Sequence, residues 1–323
     1  MRELLMATAI LALVAHESHG QEFPKAVSGE NYPNRPIRVV TAEAGGGSDV
    51  ALRTITPGLA SNLGQQVIVD NRGIIAAELV AKAPPDGYTL LFSGATLWVL
   101  PFLRDHVPYD PVGDFSAITL ATRTPNILVV HPSLPVKSVK ELIALAKARP
   151  GELNYATSGA GNSVHLAGEL FRNMTGVNIV RINYKGAAPA LNDLIGGHIP
   201  MMFDSLPGVI QHIRSGQLRA LGVTSLKRAP AAPEIPTIDE SGVKGFDATA
   251  WFGMYAPGNM PAELTRKISG DVLEVLRSPR IQTQFAELGA DPGTLSQPDF
   301  ANFVNAEIAK WGKVIAAANI KLD

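Results

Sequence analysis

Past an apolar run at its N-terminus, the chain alternates short blocks rich in Val and Ile with longer stretches whose apolar residues recur at helical spacing. The blocks predicted as strands are Ile37 to Val40, Gln66 to Val69, Thr89 to Phe92, Ile127 to Val130, Asn154 to Thr157, Ile199 to Phe203 and Leu218 to Val223. Helices fall between them, so the pattern predicts an α/β protein with largely parallel sheets. Ser138-Val139-Lys140-Glu141 is a capping box that opens one helix, and Pro150-Gly151 closes it. Near the C-terminus Phe300, Phe303, Val304, Ile308, Trp311, Val314 and Ile315 form one apolar helical face, which marks Trp311 as core. The stretches Ala229 to Pro236 and Ala256 to Pro261 read as connections.

The N-terminus changes the compartment. Arg2 starts a short basic region, Leu4 to Ala15 is apolar, and Ser18-His19-Gly20 is a small-residue site, the layout of a signal peptide over residues 1 to 20. Its 12-residue apolar run is shorter than the ~20 residues a membrane span needs. The expected product is periplasmic. Removing the leader takes one basic and two acidic residues from totals of 28 and 29, which leaves the exported chain formally neutral. Such a balance lacks the basic footprint of a nucleic-acid binder. With no cysteine there is no disulfide framework, thiol nucleophile, lipid-bearing N-terminal cysteine or cysteine-based metal site. No cofactor is expected.

Two strand–glycine–helix units carry the candidate chemistry. After Val39-Val40 comes Thr41-Ala42-Glu43-Ala44-Gly45-Gly46-Gly47-Ser48-Asp49, and after Asn154 to Thr157 comes Ser158-Gly159-Ala160-Gly161-Asn162-Ser163, leading into the helix that holds His165. Glycine lets the backbone turn sharply and lets a ligand approach it. The free N–H groups of the following helical turn, at the positive end of the dipole, favour an anion. Each loop alone reads first as a tight turn, and only the pairing points to a small carboxylate. Other uses fail on detail. No glycine is followed by the Lys-Ser or Lys-Thr of a phosphate-binding Walker loop, Val50 and Val164 stand where a dinucleotide fingerprint needs its third glycine, and no serine has glycines two residues away on both sides.

Segments along the chain also resemble, in order, the substrate-binding proteins of tripartite tricarboxylate transporters, the Bug family. They are Tyr32 to Ile37, Gly45 to Asp49, Pro85 to Leu91, Tyr109-Asp110-Pro111, Asp114-Phe115, His165 to Leu170, Tyr184-Lys185-Gly186 and Met202-Phe203-Asp204. The resemblance implies a fold of the two-lobed periplasmic binding protein type with a ligand cleft between lobes. Lobe 1 is then residues 31 to 125 plus 250 to 323, and lobe 2 residues 126 to 249. It implies a monomeric receptor, not an enzyme, that binds a small organic acid and delivers it to membrane permease subunits. Matching motifs carry ligand contact to Gly46, Gly47, Ser48 and Asp49, to Ser158, Gly159 and Ser163, and to Asp204.

Several residues keep a second reading. Asp204 either lines the ligand or caps a helix; His165 either donates to an anion or packs; Asp49 either meets the ligand or only answers the helix dipole. Two other functions stay open as well: a sensor that presents a metabolite to a membrane signalling protein, and a periplasmic hydrolase using His165 with Ser158 or Ser163. The chain departs from the family at Glu43 and Ala44, where apolar or aromatic residues and prolines are usual, and Gly73-Ile74-Ile75 shortens another loop. A carboxylate at Glu43 repels an incoming carboxylate by about 1 kcal/mol at 4 Å in water and about 4 at an effective dielectric of 20. Unless Glu43 turns outward, it suits a ligand with an amine or hydroxyl beside its carboxylate.

Overall fold

The apolar blocks pair into two separate sheets, seen in a computed structural model that describes residues 32 to 159, 161 to 318 and 320. The expected signal peptide lies outside the described residues. The chain begins with β1 (Ile37–Thr41), α1 (Gly47–Leu63), β2 (Val67–Asn71), α2 (Ala76–Ala81), β3 (Thr89–Ser93), α3 (Ala95–Leu103) and β4 (Phe115–Thr124). It continues through β5 (Asn126–Val130), α4 (Val139–Ala148), β6 (Asn154–Thr157), α5 (Ser163–Thr175), β7 (Val180–Asn183), α6 (Ala187–Ile195), β8 (Met201–Ser205), α7 (Leu206–Arg214) and β9 (Arg219–Val223). It returns with β10 (Ala250–Pro257), α8 (Ala262–Arg277), α9 (Pro279–Leu288), β11 (Asp291–Pro292) and α10 (Gln297–Ala318).

The first sheet has the order β11-β4-β10-β3-β1-β2 and the second β7-β6-β8-β5-β9. Both are more mixed than the expected parallel arrangement. β1 is parallel to β2 and β3, and β6 to β7 and β8, but β10 is antiparallel to β3 and β4, and β5 to β8 and β9. β5 opens the second sheet and β10 re-enters the first at the crossovers, and the short β11 is also antiparallel to its neighbour β4.

The strand blocks read from the sequence pair as strands, with ends displaced by a few residues. Strands β4, β7, β10 and β11 had no such signal. In β4 Thr119, Thr122 and Thr124 interrupt the apolar pattern, yet all three are buried. Their burial is compatible with the core because Thr119 Oγ1 donates to the Leu295 carbonyl at 2.9 Å and Thr122 Oγ1 to the Asp291 carbonyl at 2.8 Å. β10 holds Gly253 and ends at Pro257, residues that read as turn signals, although every position in it is buried. The Ser138 cap forms as expected: Ser138 Oγ accepts from the Glu141 N–H at 3.2 Å, and Glu141 Oε2 accepts from the Lys137 N–H at 2.7 Å. In α10 Phe300, Val304, Trp311 and Ile315 are buried. No described helix is long and apolar enough to cross a membrane.

Two crossovers lie side by side. Pro125 alone separates β4 from β5, and the return runs from β9 through Thr224 to Ala248 and β10. They are tied by buried polar groups. The Thr224 N–H donates to the Asn126 carbonyl at 2.9 Å, the Asn126 N–H donates to Thr224 Oγ1 at 2.9 Å, and the Ala248 N–H donates to the Thr224 carbonyl at 3.0 Å. Asn126 Nδ2 also donates to the Ala248 carbonyl at 3.3 Å. Thr224 is fully buried, so its hydroxyl cannot be replaced by water without rearrangement. Thr224→Val keeps the shape but strands the Asn126 N–H; it is expected to lower unfolding free energy by about 1–3 kcal/mol in urea titrations.

Candidate functional site

The carboxyl ends of the parallel strands in both sheets face a common cleft, the usual position for a ligand in an open α/β sheet. The cleft, counted with its open mouth, holds an empty volume of about 550 Å³. Five helix beginnings reach it. Gly46, Gly47 and Ser48 start α1, Gly94, Ala95 and Thr96 start α3, Asn162, Ser163 and Val164 start α5, Ala187 starts α6, and Ser205 precedes α7. Only α5 has a side-chain cap, Asn162 Oδ1 accepting from the His165 N–H at 3.0 Å. The caps of α1, α3 and α6 are glycines and that of α7 is Ser205, none making a side-chain cap bond. No side chain thus competes for the first-turn N–H groups of α1, α3 and α6, whereas in α7 the Leu206 N–H donates to the Pro125 carbonyl at 3.1 Å and Pro207 has none.

Of the residues singled out in the sequence, Glu43, Gly46, Gly47, Ser48, Ser158, Ser163 and Asp204 line this cleft. Glu43 does not turn outward. A Cβ built on Gly73 would lie 3.2 Å from Glu43 Oε1, and one on Gly159 would lie 3.4 Å from it, so the carboxylate sits between the end of β2 and the Ser-Gly loop of the other sheet. Burial pushes its pKa up, and its own backbone N–H offsets only part of that. The shortened Gly73-Ile74-Ile75 segment, a single 3₁₀ turn, thus backs Glu43.

Asp204 is 2% exposed at the end of β8. Its Oδ1 accepts from the Ser205 N–H at 2.7 Å, while Oδ2 has no partner, and neither does the neighbouring Ser205 Oγ. Burial lifts the carboxyl pKa to about 7, and the Ser205 N–H is the one group that opposes the rise. A buried polar oxygen left open on a cleft wall is an acceptor available to a solute or water.

Ala44, Asp49, Gly159 and His165 do not line the cleft. Ala44 is exposed, and Gly159 meets the carboxylate of Glu43. Asp49 braces the glycine loop instead. Its Oδ2 accepts from the Gly45 N–H at 2.9 Å, and its Oδ1 accepts from Arg53 Nε and Asn71 Nδ2, both at 2.9 Å. Burial opposes its charge, but these three donors hold its pKa below the ordinary value. Asn71 also donates to the Ala42 carbonyl at 3.0 Å and so ties the loop to β2. His165 is fully buried behind the loop, its Nδ1 accepting from the Gly161 N–H at 3.0 Å and its Nε2 side against Arg181. Neither candidate serine is paired with it: Ser158 Oγ accepts from Asn162 Nδ2 at 3.1 Å, and Ser163 Oγ approaches Asn126 Oδ1 at 3.5 Å. A serine nucleophile with a histidine base is not assembled.

The structure adds Ser93, Gly94, Asn126, Ser205 and Phe252 to the wall. Ser93-Gly94 had a visible signal, a third strand–glycine–helix junction. At Gly94 a Cβ would come within 2.4 Å of the Trp251 carbonyl oxygen, so only glycine fits. Asn126 and Phe252 carried none, since they reach the cleft only through the crossovers. Among the described residues no group of three or more His, Asp or Glu side chains could hold a metal.

A model of the tripartite tricarboxylate transporter family receptor matches residues 51 to 320. The chain belongs to this family. Protein BugT of Bordetella pertussis is 37% identical over 303 residues, which span 92% of this chain and 93% of that protein. A UPF0065 protein from the tcbD-tcbE intergenic region of Pseudomonas sp. strain P51 is 34% identical over 97% of this chain and 94% of its own. Among solved structures, Rpa4515 of R. palustris with adipate superposes with a TM-score of 0.86 at 39% identity, covering 90% of this chain and 99% of that one. MatC from Rhodopseudomonas palustris with bound malate gives 0.84 at 29% identity over 88% and 100% of the two chains. The fold is that of a periplasmic binding protein, and the protein is a solute-binding receptor of this family.

The raised pKa of Asp204 fixes a sign. Between about pH 4 and pH 7 the native state holds a proton that the unfolded chain has released, so stability falls as pH rises through that window, by at most about 1.4 kcal/mol per unit. Asp204→Asn abolishes this dependence. It is expected to be more stable than wild type at pH 8, by up to about 4 kcal/mol, with the difference closing near pH 4 in pH-resolved urea unfolding.

Proposed function

We propose that this receptor works in the periplasm, captures a small organic acid through its carboxylate, and delivers it to the permease subunits of a tripartite transporter. The observation that carries the reading is the convergence of five helix N-termini, four without side-chain caps, on one cleft between two sheets. Each end offers about half a positive charge, and those of α1 and α3 add uncapped N–H groups at glycine turns, so a carboxylate is held by main-chain donors with no basic side chain required. The adipate bound to Rpa4515 and the malate bound to MatC support the same ligand class.

In this reading the chain divides at residues 125/126 and 249/250 into two lobes that close as a hinge about the paired crossovers. A ligand touching both walls favours the closed state by its greater affinity for it. Binding and release involve no broken bond. The separation of His165 from Ser158 and Ser163 supports a receptor over a hydrolase.

Thermal unfolding of the purified protein against a panel of mono-, di- and tricarboxylates and amino acids tests the proposal. A ligand at 100 times its Kd adds about 2.7 kcal/mol and raises the midpoint by a few degrees. Gly47→Val places a side chain where a Cβ already lies 3.0 Å from Phe252 Cζ and 3.2 Å from Ser205 Cβ, and is expected to abolish that shift. A panel in which no carboxylate moves the midpoint overturns the reading.

A further inference from the structure

The cleft presents two acidic side chains and no basic one. Asp204 offers a buried oxygen without a partner, and Ser205 beside it offers a buried hydroxyl in the same condition. Glu43 enters from the glycine loop of the other sheet, wedged against Gly73 and Gly159, with no side chain of the described residues donating to it. Among the described lining residues there is no Lys, Arg or His; Lys185, the nearest candidate in the sequence, is exposed and is not part of the wall. Helix ends provide the positive potential, but through backbone groups at fixed places. No basic side chain in the described wall answers the two acidic groups.

A simple dicarboxylate bound here places two negative charges beside these two acidic groups. The hydroxyl of a hydroxy acid brings one O–H donor and no positive charge. A protonated amine brings three N–H donors and a full positive charge, and the wall offers the Glu43 carboxylate, Asp204 Oδ2 and Ser205 Oγ as acceptors. A metal cation is poorly served, since no group of three acidic or imidazole ligands exists among the described residues.

We propose that this receptor selects amino acids over their deaminated counterparts, with the ligand carboxylate at the helix N-termini and its ammonium group on Glu43 and Asp204. The proposal rests on the carboxylate-receptor reading and narrows it. Glu43 is then the specificity-determining residue, because it adds the second negative charge from the opposite wall of the cleft.

Isothermal titration at pH 7.5 with matched pairs tests this: L-aspartate against succinate, L-glutamate against glutarate, L-alanine against propionate, and L-leucine against 4-methylpentanoate. At least one amino acid should bind ten-fold or more tightly than its deaminated partner. In Glu43→Gln, and in Glu43→Ala as a second variant, that ratio should fall at least five-fold while the ligand-free thermal midpoint stays near wild type. A deaminated acid that binds as tightly as every amino acid, or tighter, overturns the selectivity and leaves the carboxylate reading standing. A ratio that survives both substitutions overturns the role of Glu43. Binding by no member of either series overturns both readings together.

Discussion

The cleft depends on one constraint, the buried hydrogen bonding that holds the two crossovers together. Asn126, Thr224 and Ala248 exchange main-chain and side-chain bonds at the point where β4 passes into β5 and the chain returns to β10. Because these groups are sealed from water, every one must find its partner within the protein. That requirement sets the two sheets against each other along their carboxyl edges. Asn126 then serves two ends, bonding to the crossover through Nδ2 and facing Ser163 across the cleft floor through Oδ1.

From that placement the electrostatics of the site follow. A helix that follows a parallel strand starts at the strand's carboxyl end, so two sheets meeting there bring several positive helix ends together. The glycines at these turns leave the N–H groups open and the approach clear. The same design concentrates positive potential without a basic side chain in the described wall, which is consistent with a chain whose net charge is close to zero. Against it stand Glu43 and Asp204, both desolvated and both with raised pKa values. Positive backbone ends and negative side chains in one cavity describe a ligand with charges of both signs.

Asp49 and His165 show how roles separate within a motif. Both sit in the first turn of a helix behind a glycine loop, and in both the side chain turns back to hold the loop through a main-chain N–H, that of Gly45 or Gly161. The loops are thus held from behind by polar side chains while Gly46, Gly47, Ser158 and Asn162 line the cleft. An acidic or imidazole residue next to a site is as useful for shaping it as for touching the solute.

The linear pattern was enough for the α/β class, the Ser138 cap, the apolar face of α10 and the two glycine loops, because each is a local feature set by spacing, turn chemistry or propensity. It was silent on β4 and β10, whose threonines and glycine look polar or loop-like until a neighbouring carbonyl or the Phe300 ring is placed beside them. Glu43 could be flagged as a misplaced charge, but its direction could not be read, since that depends on Gly73 and Gly159, far away along the chain. The same holds for Asn126, Ser205 and Phe252, which reach the cleft only after both crossovers are made. Residue type and order determine which groups are available; only the packing of distant segments decides which are buried together, and burial is what turns two ordinary carboxylates into a selective site.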